Sequence, residues 1–218
     1  QIMSVIDVSV IVPIFNSEMY IGRCIRSLLS QSFNKDNFEI IVINDGSKDD
    51  TKEVIKPFLG DVIYLENKKN KGLPYSLNLG LKKAKGRFVV RVDSDDYVHK
   101  EYINILYHQL SLNNNVHAAT CDYVLVDNFQ EQIKQVSWKN EPIGCGIMFR
   151  IEHLIKVGLY DEKFLSREDE DLLIRFQKEF KVTNLKIPLY KYRQHSNNMT
   201  KNKKKLKKFK IKLKKKHR

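Results

Sequence analysis

The chain has 218 residues, 42% of them hydrophobic, which is enough for one large α/β domain with a sizeable core. Residues 201–218 hold eleven lysines and one arginine but no acid, so the net charge of +13 belongs to this tail and the rest is close to neutral, with 27 basic against 26 acidic residues. We expect no membrane-spanning segment, no signal peptide at residues 1–7, and a reducing, cytoplasmic setting for the scattered cysteines Cys24, Cys121 and Cys145.

The first half of the chain alternates predicted strands and helices. The strands are largely apolar and β-branched, as strands buried inside a parallel sheet are, and cover residues 8–14, 38–43, 62–65 and 88–92. The helices between them cover residues 18–30, with Ser17 as the N-cap, 51–59 and 74–84. Alternation at this spacing predicts a right-handed βαβ series.

The second half is more varied. It predicts helices at residues 100–112 and 168–180 and a short helix that Gly158 ends. Strands are predicted at residues 117–126, 129–138, 147–149 and 182–187, the first two as an antiparallel hairpin. The predicted fold is therefore α/β, with a Rossmann-like, mostly parallel central sheet flanked by helices and a small antiparallel sheet. Residues 1–200 are predicted to form one domain, followed by the basic tail 201–218.

Three carboxylates follow the strand at residues 88–92, in Asp93-Ser94-Asp95-Asp96. Like charges this close repel each other unless a cation lies among them. Oxygen ligands of this kind suit Mg²⁺ or Mn²⁺, and the carboxyl end of a strand in an open α/β sheet is where ligands bind. The motif alone is equally consistent with a site for a metal-bound diphosphate and with a solvated acidic turn before the next helix.

Two further groups of acidic residues lie at the boundaries of predicted elements. Asp45 follows the second strand, where its carboxylate could accept the imide N–H of a uracil base, although Asn44-Asp45-Gly46-Ser47 is also an ordinary turn. Residues 168–171 place four acids in the first turn of a helix, where the helix dipole favours negative charge whatever their function.

Six stretches, in order over roughly residues 7–200, resemble family 2 glycosyltransferases, which have the GT-A fold. The matching stretches are Val8-Ser-Val-Ile-Val-Pro-Ile-Phe-Asn16, Ile41-Val-Ile-Asn-Asp-Gly-Ser47, Asn70-Lys-Gly72 with Leu77-Asn-Leu-Gly80, Lys85-Gly86 with Arg91-Val-Asp-Ser-Asp-Asp96, Gly158-Leu-Tyr-Asp161, and Arg167-Glu-Asp-Glu-Asp-Leu172. One such motif is weak evidence, but six in the family's order are specific.

The resemblance implies roles for individual residues. The residues implied to bind the donor nucleotide are Pro13, Phe15, Asn16, Asp45, Gly72, Asn78, Arg91, Asp93 and Ser94. The residues implied to hold Mn²⁺ or Mg²⁺ are Asp93, Asp95 and His195, the last with a solvated loop histidine as the alternative. The implied general base is Asp169, supported by Glu168 and Asp171.

The resemblance also implies a reaction. A sugar would pass from a nucleoside-diphosphate sugar, most simply a UDP-sugar, to a hydroxyl of a glycan or lipid-linked acceptor. One base and no protein nucleophile imply a single displacement with inversion. The small antiparallel sheet would lie on the acceptor side, and the process served would be synthesis of a surface polysaccharide or glycoconjugate.

The sequence departs from the family at two positions. Many members carry arginine where this chain has Leu77, so a phosphate contact is lost or Arg91 replaces it. The only tryptophan, Trp138, follows Ser137, so the Gln-x-x-Arg-Trp pattern of processive synthases is missing. We therefore expect transfer of one sugar or a few.

Other classes of protein fit the sequence less well. A sugar-phosphate nucleotidyltransferase needs a glycine-rich loop after the first strand, and residues 13–16 contain no glycine. A dinucleotide oxidoreductase fails for a similar reason. A module that binds nucleic acid through its tail is the third alternative, but the rest of the chain is not basic and no specific nucleic acid is expected.

The tail interleaves Leu206, Phe209, Ile211 and Leu213 with its lysines, at a spacing that is only partly helical. A disordered, solvated charge run is one interpretation. The other is attachment to the anionic inner face of the cytoplasmic membrane, where each basic residue contributes about 1 kcal/mol.

Overall fold

The structure is a computed structural model that describes residues 5–195 and 203–217, with the backbone alone for residues 203–205. Its strands are β1 (Val8–Ile14), β2 (Phe38–Asn44), β3 (Ile63–Glu66), β4 (Phe88–Arg91), β5 (Tyr97–Val98), β6 (Ala118–Val126), β7 (Gln132–Val136), β8 (Met148–Arg150) and β9 (Val182–Arg193). Its α-helices are α1 (Ile21–Leu29), α2 (Thr51–Ile55), α3 (Leu73–Lys83), α4 (Tyr102–Ser111), α5 (Ile151–Val157), α6 (Glu168–Gln177) and α7 (Lys203–Lys216).

All nine strands belong to one mixed sheet, in the order β3-β2-β1-β4-β8-β6-β9-β5, and β7 pairs with β6. The first four strands are parallel, as predicted. The antiparallel strand β8 joins them to the rest, so the predicted antiparallel part continues the central sheet. Because β1, β2 and β4 are parallel, the residues that follow them meet at one edge of the sheet.

Helices cover both faces of this sheet. Along β1 the side chains alternate, so that Val10 and Val12 pack in the cluster that contains α1 and α4. Ile11 points the other way and packs with α3, α5 and α6. These β1 side chains are at most 2% exposed. The β-branched run that predicted a strand buried on both faces is therefore explained.

Several local predictions were wrong. Ser17 is not the N-cap of α1, which begins at Ile21, because the Ser17 hydroxyl instead contacts the hydroxyl of Ser94 at 2.8 Å. The last strand was predicted to end at residue 187, but β9 continues to Arg193 alongside β6. The two-residue strand β5 was missed because it is too short to show a period. The three cysteines are free and buried.

The basic tail forms helix α7, so the disordered interpretation is wrong for residues 203–216. Phe209 and Leu213 are 8% and 7% exposed and pack against Phe164 and Ile174 of the domain. Attachment to a membrane stays a prediction. No helix in residues 5–195 or 203–217 carries an apolar stretch long enough to cross a bilayer.

Candidate active site

Arg91, at the end of β4, joins the two main acidic motifs. Its Nε and Nη2 donate to the two carboxylate oxygens of Asp93 at 2.5 and 3.0 Å, and its Nη1 donates to Oε1 of Glu168 at 3.3 Å. The Arg91 and Glu168 side chains are 9% and 6% exposed. Burial raises the pKa of Glu168 to about 7, although the charge of Arg91 opposes that rise. The end of β4 and the start of α6 are thus held together by a buried charge network.

Asp95 and His195 form a second pair beside this network. His195 Nε2 lies 2.8 Å from Asp95 Oδ2, and its ring stacks on Tyr20 with 4.8 Å between centroids. His195 is 8% exposed, so it is not the solvated loop histidine that was the alternative. The Asp95 carboxylate keeps 28% exposure, which makes it the open end of the pair.

Asp96 has a structural role that the sequence did not indicate. Its Oδ2 accepts from the Tyr190 hydroxyl and its Oδ1 from the Arg193 amide, both at 2.8 Å. Burial and the charges of Asp95 and Asp93 raise its pKa well above the ordinary value. Asp96 therefore anchors β9 beneath the acidic turn.

The residues present fit a hard divalent cation at Asp95 and His195 better than elsewhere. Among the described residues, Asp93, Asp96 and Cys145 bring ligand atoms within 4.8 Å of one another. However, the Asp93 carboxylate already bonds Arg91, and the Asp96 carboxylate already accepts hydrogen bonds from protein donors. Burial also raises the pKa of the Cys145 thiol well above its usual value. A carboxylate oxygen and an imidazole nitrogen suit Mn²⁺ or Mg²⁺ better than a protonated thiol does.

Asp169 and Glu170 are the partly exposed acids at the start of α6, whereas Glu168 and Asp171 are buried. Asp169 is half-buried, and its Oδ1 accepts the Glu170 amide at 2.8 Å. The loop at Gly144 passes directly against its carboxylate. Together with Asp95, it also raises the pKa of Asp93, after the larger effect of burial and against Arg91. Asp169 thus faces the same space as the acidic turn.

Asp45 closes a loop at the same edge of the sheet. Its carboxylate is 3% exposed and accepts from Asn67 Nδ2, from the Lys71 amide and from the Gly72 amide at 2.8, 2.9 and 2.8 Å. Gly72 has a φ of 96°, which glycine adopts without strain. Recognition of a base by Asp45 stays a prediction, because only part of its carboxylate can serve a ligand.

The end of β1 provides an exposed aromatic ring next to Asp45. Phe15 is 45% exposed, whereas Pro13 is buried in the strand. Asn16 has a φ of 50°; its side-chain Oδ1 accepts from the Lys48 amide at 2.9 Å, and its own backbone amide donates to Ser47 Oγ at 2.9 Å. This arrangement leaves the face of Phe15 open at the edge where the nucleotide is predicted.

Two of the predicted donor-binding residues are occupied by protein contacts. Both amide atoms of Asn78 bond to the backbone of Tyr160, and Nδ2 also donates to Glu162, so Asn78 braces the loop before α6. Ser94 is 8% exposed and bonds Ser17. The geometry favours a positioning role for both over direct donor contact.

Asp171 lies on the other side of α6. It is fully buried and bonds Arg175, Lys216 and His217. Residues two apart on a helix point in nearly opposite directions, so Asp171 turns away from the space that Asp169 faces. Its predicted supporting role is therefore exerted through the helix.

Leu77, where many family members have arginine, is 1% exposed in the apolar core. Leu77 and Arg91 line the same small cavity, of about 10 Å³. The guanidinium of Arg91 bonds Asp93 and Glu168, so replacement of the missing arginine by Arg91 stays a prediction. A second cavity, of about 650 Å³, lies between α4 and β9, and none of the predicted site residues line it.

Residues 9–172 match the sequence profile of glycosyl transferase family 2. The chain belongs to this family. An uncharacterized glycosyltransferase, RP339, of Rickettsia prowazekii is 30% identical over 199 residues, which are 82% of this chain and 60% of that protein. The chain therefore spans about three fifths of this relative.

TarS of Staphylococcus aureus, a poly(ribitol-phosphate) beta-N-acetylglucosaminyltransferase, is 44% identical over 98 residues, 43% of this chain and 17% of TarS. The crystal structure of its residues 1–349 with UDP-GlcNAc has a TM-score of 0.77 and 24% identity, over 90% of this chain and 61% of that one. The mannosyltransferase PcManGT of Pyrobaculum calidifontis, solved with GDP-Man and Mn²⁺, has a TM-score of 0.72 and 18% identity over 88% of this chain and 58% of that one. The predicted family and fold class are confirmed.

Sequence reasoning missed four residues that contact the acidic motifs of this candidate site. Tyr190 and Arg193 reach Asp96 from β9, and Gly144 and Cys145 approach from the loop before β8. The signals were the buried tyrosines of β9 and the Gly144-Cys145-Gly146 stretch, which was interpreted only as a flexible turn.

Proposed function

We propose that this chain is the catalytic part of a glycosyltransferase that moves a sugar from a UDP-sugar to an acceptor hydroxyl with inversion. The observation that carries the proposal is that carboxylates from two separate motifs converge. Arg91 bonds both Asp93, in the acidic turn after β4, and Glu168, at the start of α6 beside Asp169, although 75 residues separate Asp93 from Glu168. A donor site next to a base needs this arrangement.

The donor nucleotide is proposed to lie across the ends of β1, β2 and β4. Phe15 offers a ring face to a base, and Asp45 offers the carboxylate oxygen that accepts only the Gly72 amide. The TarS complex with UDP-GlcNAc supports a UDP-sugar and makes N-acetylglucosamine the first sugar to test.

The diphosphate is proposed to lie at Asp95 and His195, which would hold Mn²⁺ or Mg²⁺. When bound, the cation neutralises negative charge on the departing nucleoside diphosphate. The Mn²⁺ complex of the fold relative PcManGT supports a divalent cation at this edge. Arg91 contributes through Asp93, whose carboxylate it orients.

Asp169 is proposed to take the proton of the acceptor hydroxyl as that oxygen attacks the anomeric carbon. Asp169 is partly exposed and lies against the Gly144 loop, whereas Glu168 is 4% exposed and already bonds Arg91. Since no protein nucleophile is invoked, the bond to the acceptor forms as the bond to the diphosphate breaks, and the anomeric configuration inverts.

The acceptor is proposed to be a glycan, a polyol phosphate polymer or a lipid-linked sugar of surface polysaccharide synthesis on the cytoplasmic side of the membrane. The activity of TarS as a poly(ribitol-phosphate) beta-N-acetylglucosaminyltransferase supports a polymeric acceptor. A thermal-shift screen of nucleotide sugars with and without Mn²⁺ tests the donor, because a ligand that binds the native state raises its stability. We expect a Mn²⁺-dependent rise in melting temperature with UDP-sugars. No rise with any nucleotide sugar would contradict the proposal.

A second, separable proposal concerns the outer face of α7. This face exposes five lysines around Ile211, which is 53% exposed: Lys207, Lys208, Lys210, Lys214 and Lys215. An apolar side chain within a lysine face suits the surface of an anionic membrane. Co-sedimentation with anionic and neutral vesicles tests this proposal. The experiment compares the full chain with a variant in which all five lysines are changed to glutamine. Equal binding of the two proteins to anionic vesicles would contradict it, and retention on DNA alone would favour the nucleic-acid alternative.

A further inference from the structure

Helix α7 packs against the segment that leads into the catalytic helix. Phe209 and Leu213 contact Phe164, which is 1% exposed, and the Phe164 and Phe209 rings lie 6.1 Å apart. Ile174 of α6 completes this cluster. Burial of apolar side chains at this interface favours a docked helix.

Polar contacts also hold helix α7 against this segment, one near the start of the helix and one further along it. Near its start, Arg167 Nε donates to the Leu206 carbonyl at 3.1 Å. Further along, Lys212 Nζ donates to the Lys163 carbonyl at 2.5 Å. The α7 contacts therefore cover the backbone of the loop that ends at α6.

The last turn of α7 reaches a single buried acid. Lys216 Nζ lies 2.8 Å from Asp171 Oδ1 and 2.9 Å from Asp161 Oδ2, and His217 Nε2 lies 2.8 Å from Asp171 Oδ1. Burial alone would raise the pKa of Asp171. Hydrogen bonds from Lys216, His217 and Arg175 instead hold this pKa below its ordinary value. Asp171 is thus ionised and tied to α7 at neutral pH.

The segment that α7 holds also touches both halves of the proposed active site. Tyr160 bonds Asn78 of α3 through its backbone. A Cβ built on Gly72 would lie 2.9 Å from Leu165 Cδ2, so this segment covers the loop that Asp45 closes. Arg167 has a φ of 62°, an uncommon conformation for arginine, directly before Glu168 and Asp169.

We propose that α7 is a positioning element for transfer: by holding Asp171 and the 158–167 segment, it fixes the start of α6 and so aims Asp169 at the acceptor. The inference rests on the proposed function of Asp169. A base misplaced by about 1 Å can cost about a hundredfold in rate. None of the α7 contacts described above involves β1, β2 or β4, so we expect donor binding to change less than the transfer rate.

The test uses full-length Lys216→Met and Lys216→Arg variants, with Lys178→Met as the matched control. Lys178 is an exposed lysine at the end of α6, so this change removes the same charge without touching α7. We expect Lys216→Met to lower kcat about tenfold or more while UDP affinity with Mn²⁺ stays within about twofold. Lys216→Arg should restore most of the rate, because it keeps a cation at Asp171.

A double variant, Lys216→Met with Asp171→Asn, should lose little more kcat than either single change if the two residues act through one contact. Unchanged kcat in Lys216→Met would overturn the inference, and so would equal losses of UDP affinity and kcat, which indicate a general role in stability. A full-length protein that transfers no sugar at all would instead refute the proposed function. The two failures are therefore distinguishable.

Discussion

The Cα of Gly144 lies so close to Asp169 that a methyl group there would overlap the carboxylate. Because glycine has no side chain, residue 144 leaves room for the carboxylate of Asp169, the candidate base. Since the two residues come from different elements, the loop before β8 must be placed correctly for Asp169 to keep its orientation. This contact gives the first prediction.

Gly144→Ala should lower kcat by about tenfold to a hundredfold, because the added Cβ forces either Asp169 or the loop to move. Affinity for UDP with Mn²⁺ should be nearly unchanged. Gly60→Ala is the control, since a Cβ there meets nothing within 4 Å. Steady-state kinetics on both variants provide the measurement, and a Gly144→Ala enzyme with the normal rate would show that the contact does not matter.

Asp95→Asn should weaken the metal-dependent part of UDP binding by about tenfold or more and leave the melting temperature nearly unchanged. The reason is that Asp95 is the partly exposed member of the Asp95–His195 pair, 28% exposed. Calorimetric titration of UDP with and without Mn²⁺ measures the effect. Retained Mn²⁺ dependence in this variant would contradict the proposed ligand.

Asp93→Asn should behave differently from Asp95→Asn. Asp93 neutralises the buried guanidinium of Arg91, so its loss leaves a buried charge with Glu168 alone. Breaking a buried ion pair typically costs about 3–5 kcal/mol. We therefore expect a clearly lower melting temperature for this variant. Equal melting temperatures for the two variants would contradict this role of Arg91.

Glu168 should make the protein less stable as pH rises. Its pKa is about 7 in the folded protein, mainly through burial, and its ordinary value is 4.5. The folded state therefore holds a proton that the unfolded state has lost, and the resulting stability disappears between about pH 4.5 and 7. In Glu168→Gln this pH dependence should be reduced by up to about 3 kcal/mol.

Urea unfolding at several pH values measures this, with the exposed Glu152→Gln as the control. An unchanged slope of stability against pH in Glu168→Gln would show that another group carries the effect.

The strongly periodic parts of the sequence predicted the fold well. The β-branched runs of β1 and β2 and the apolar stripe of α1 follow directly from which residues must be buried. Local signals failed where a distant partner decides. Ser17 has the right chemistry for an N-cap, but Ser94, 77 residues away, takes its hydroxyl.

The sequence predicted the motifs of the candidate site but not the contacts between their side chains. The acids at the ends of β2 and β4 and the start of α6 could be found from the sequence, because strands of a parallel sheet end at one edge. The docking of α7 on Asp171 depends on contacts across 46 residues of sequence. Composition alone predicted only that this tail is positively charged.

The most direct test of the proposed mechanism compares Asp169→Asn with Glu168→Gln in donor affinity, melting temperature and transfer rate. Asparagine keeps the shape of Asp169 but cannot take a proton, and removal of a general base typically costs about 10²–10⁴-fold in rate. We predict near-normal UDP-sugar affinity and a kcat reduced by about that factor for Asp169→Asn, with the larger loss of stability in Glu168→Gln. A fully active Asp169→Asn enzyme would contradict the mechanism.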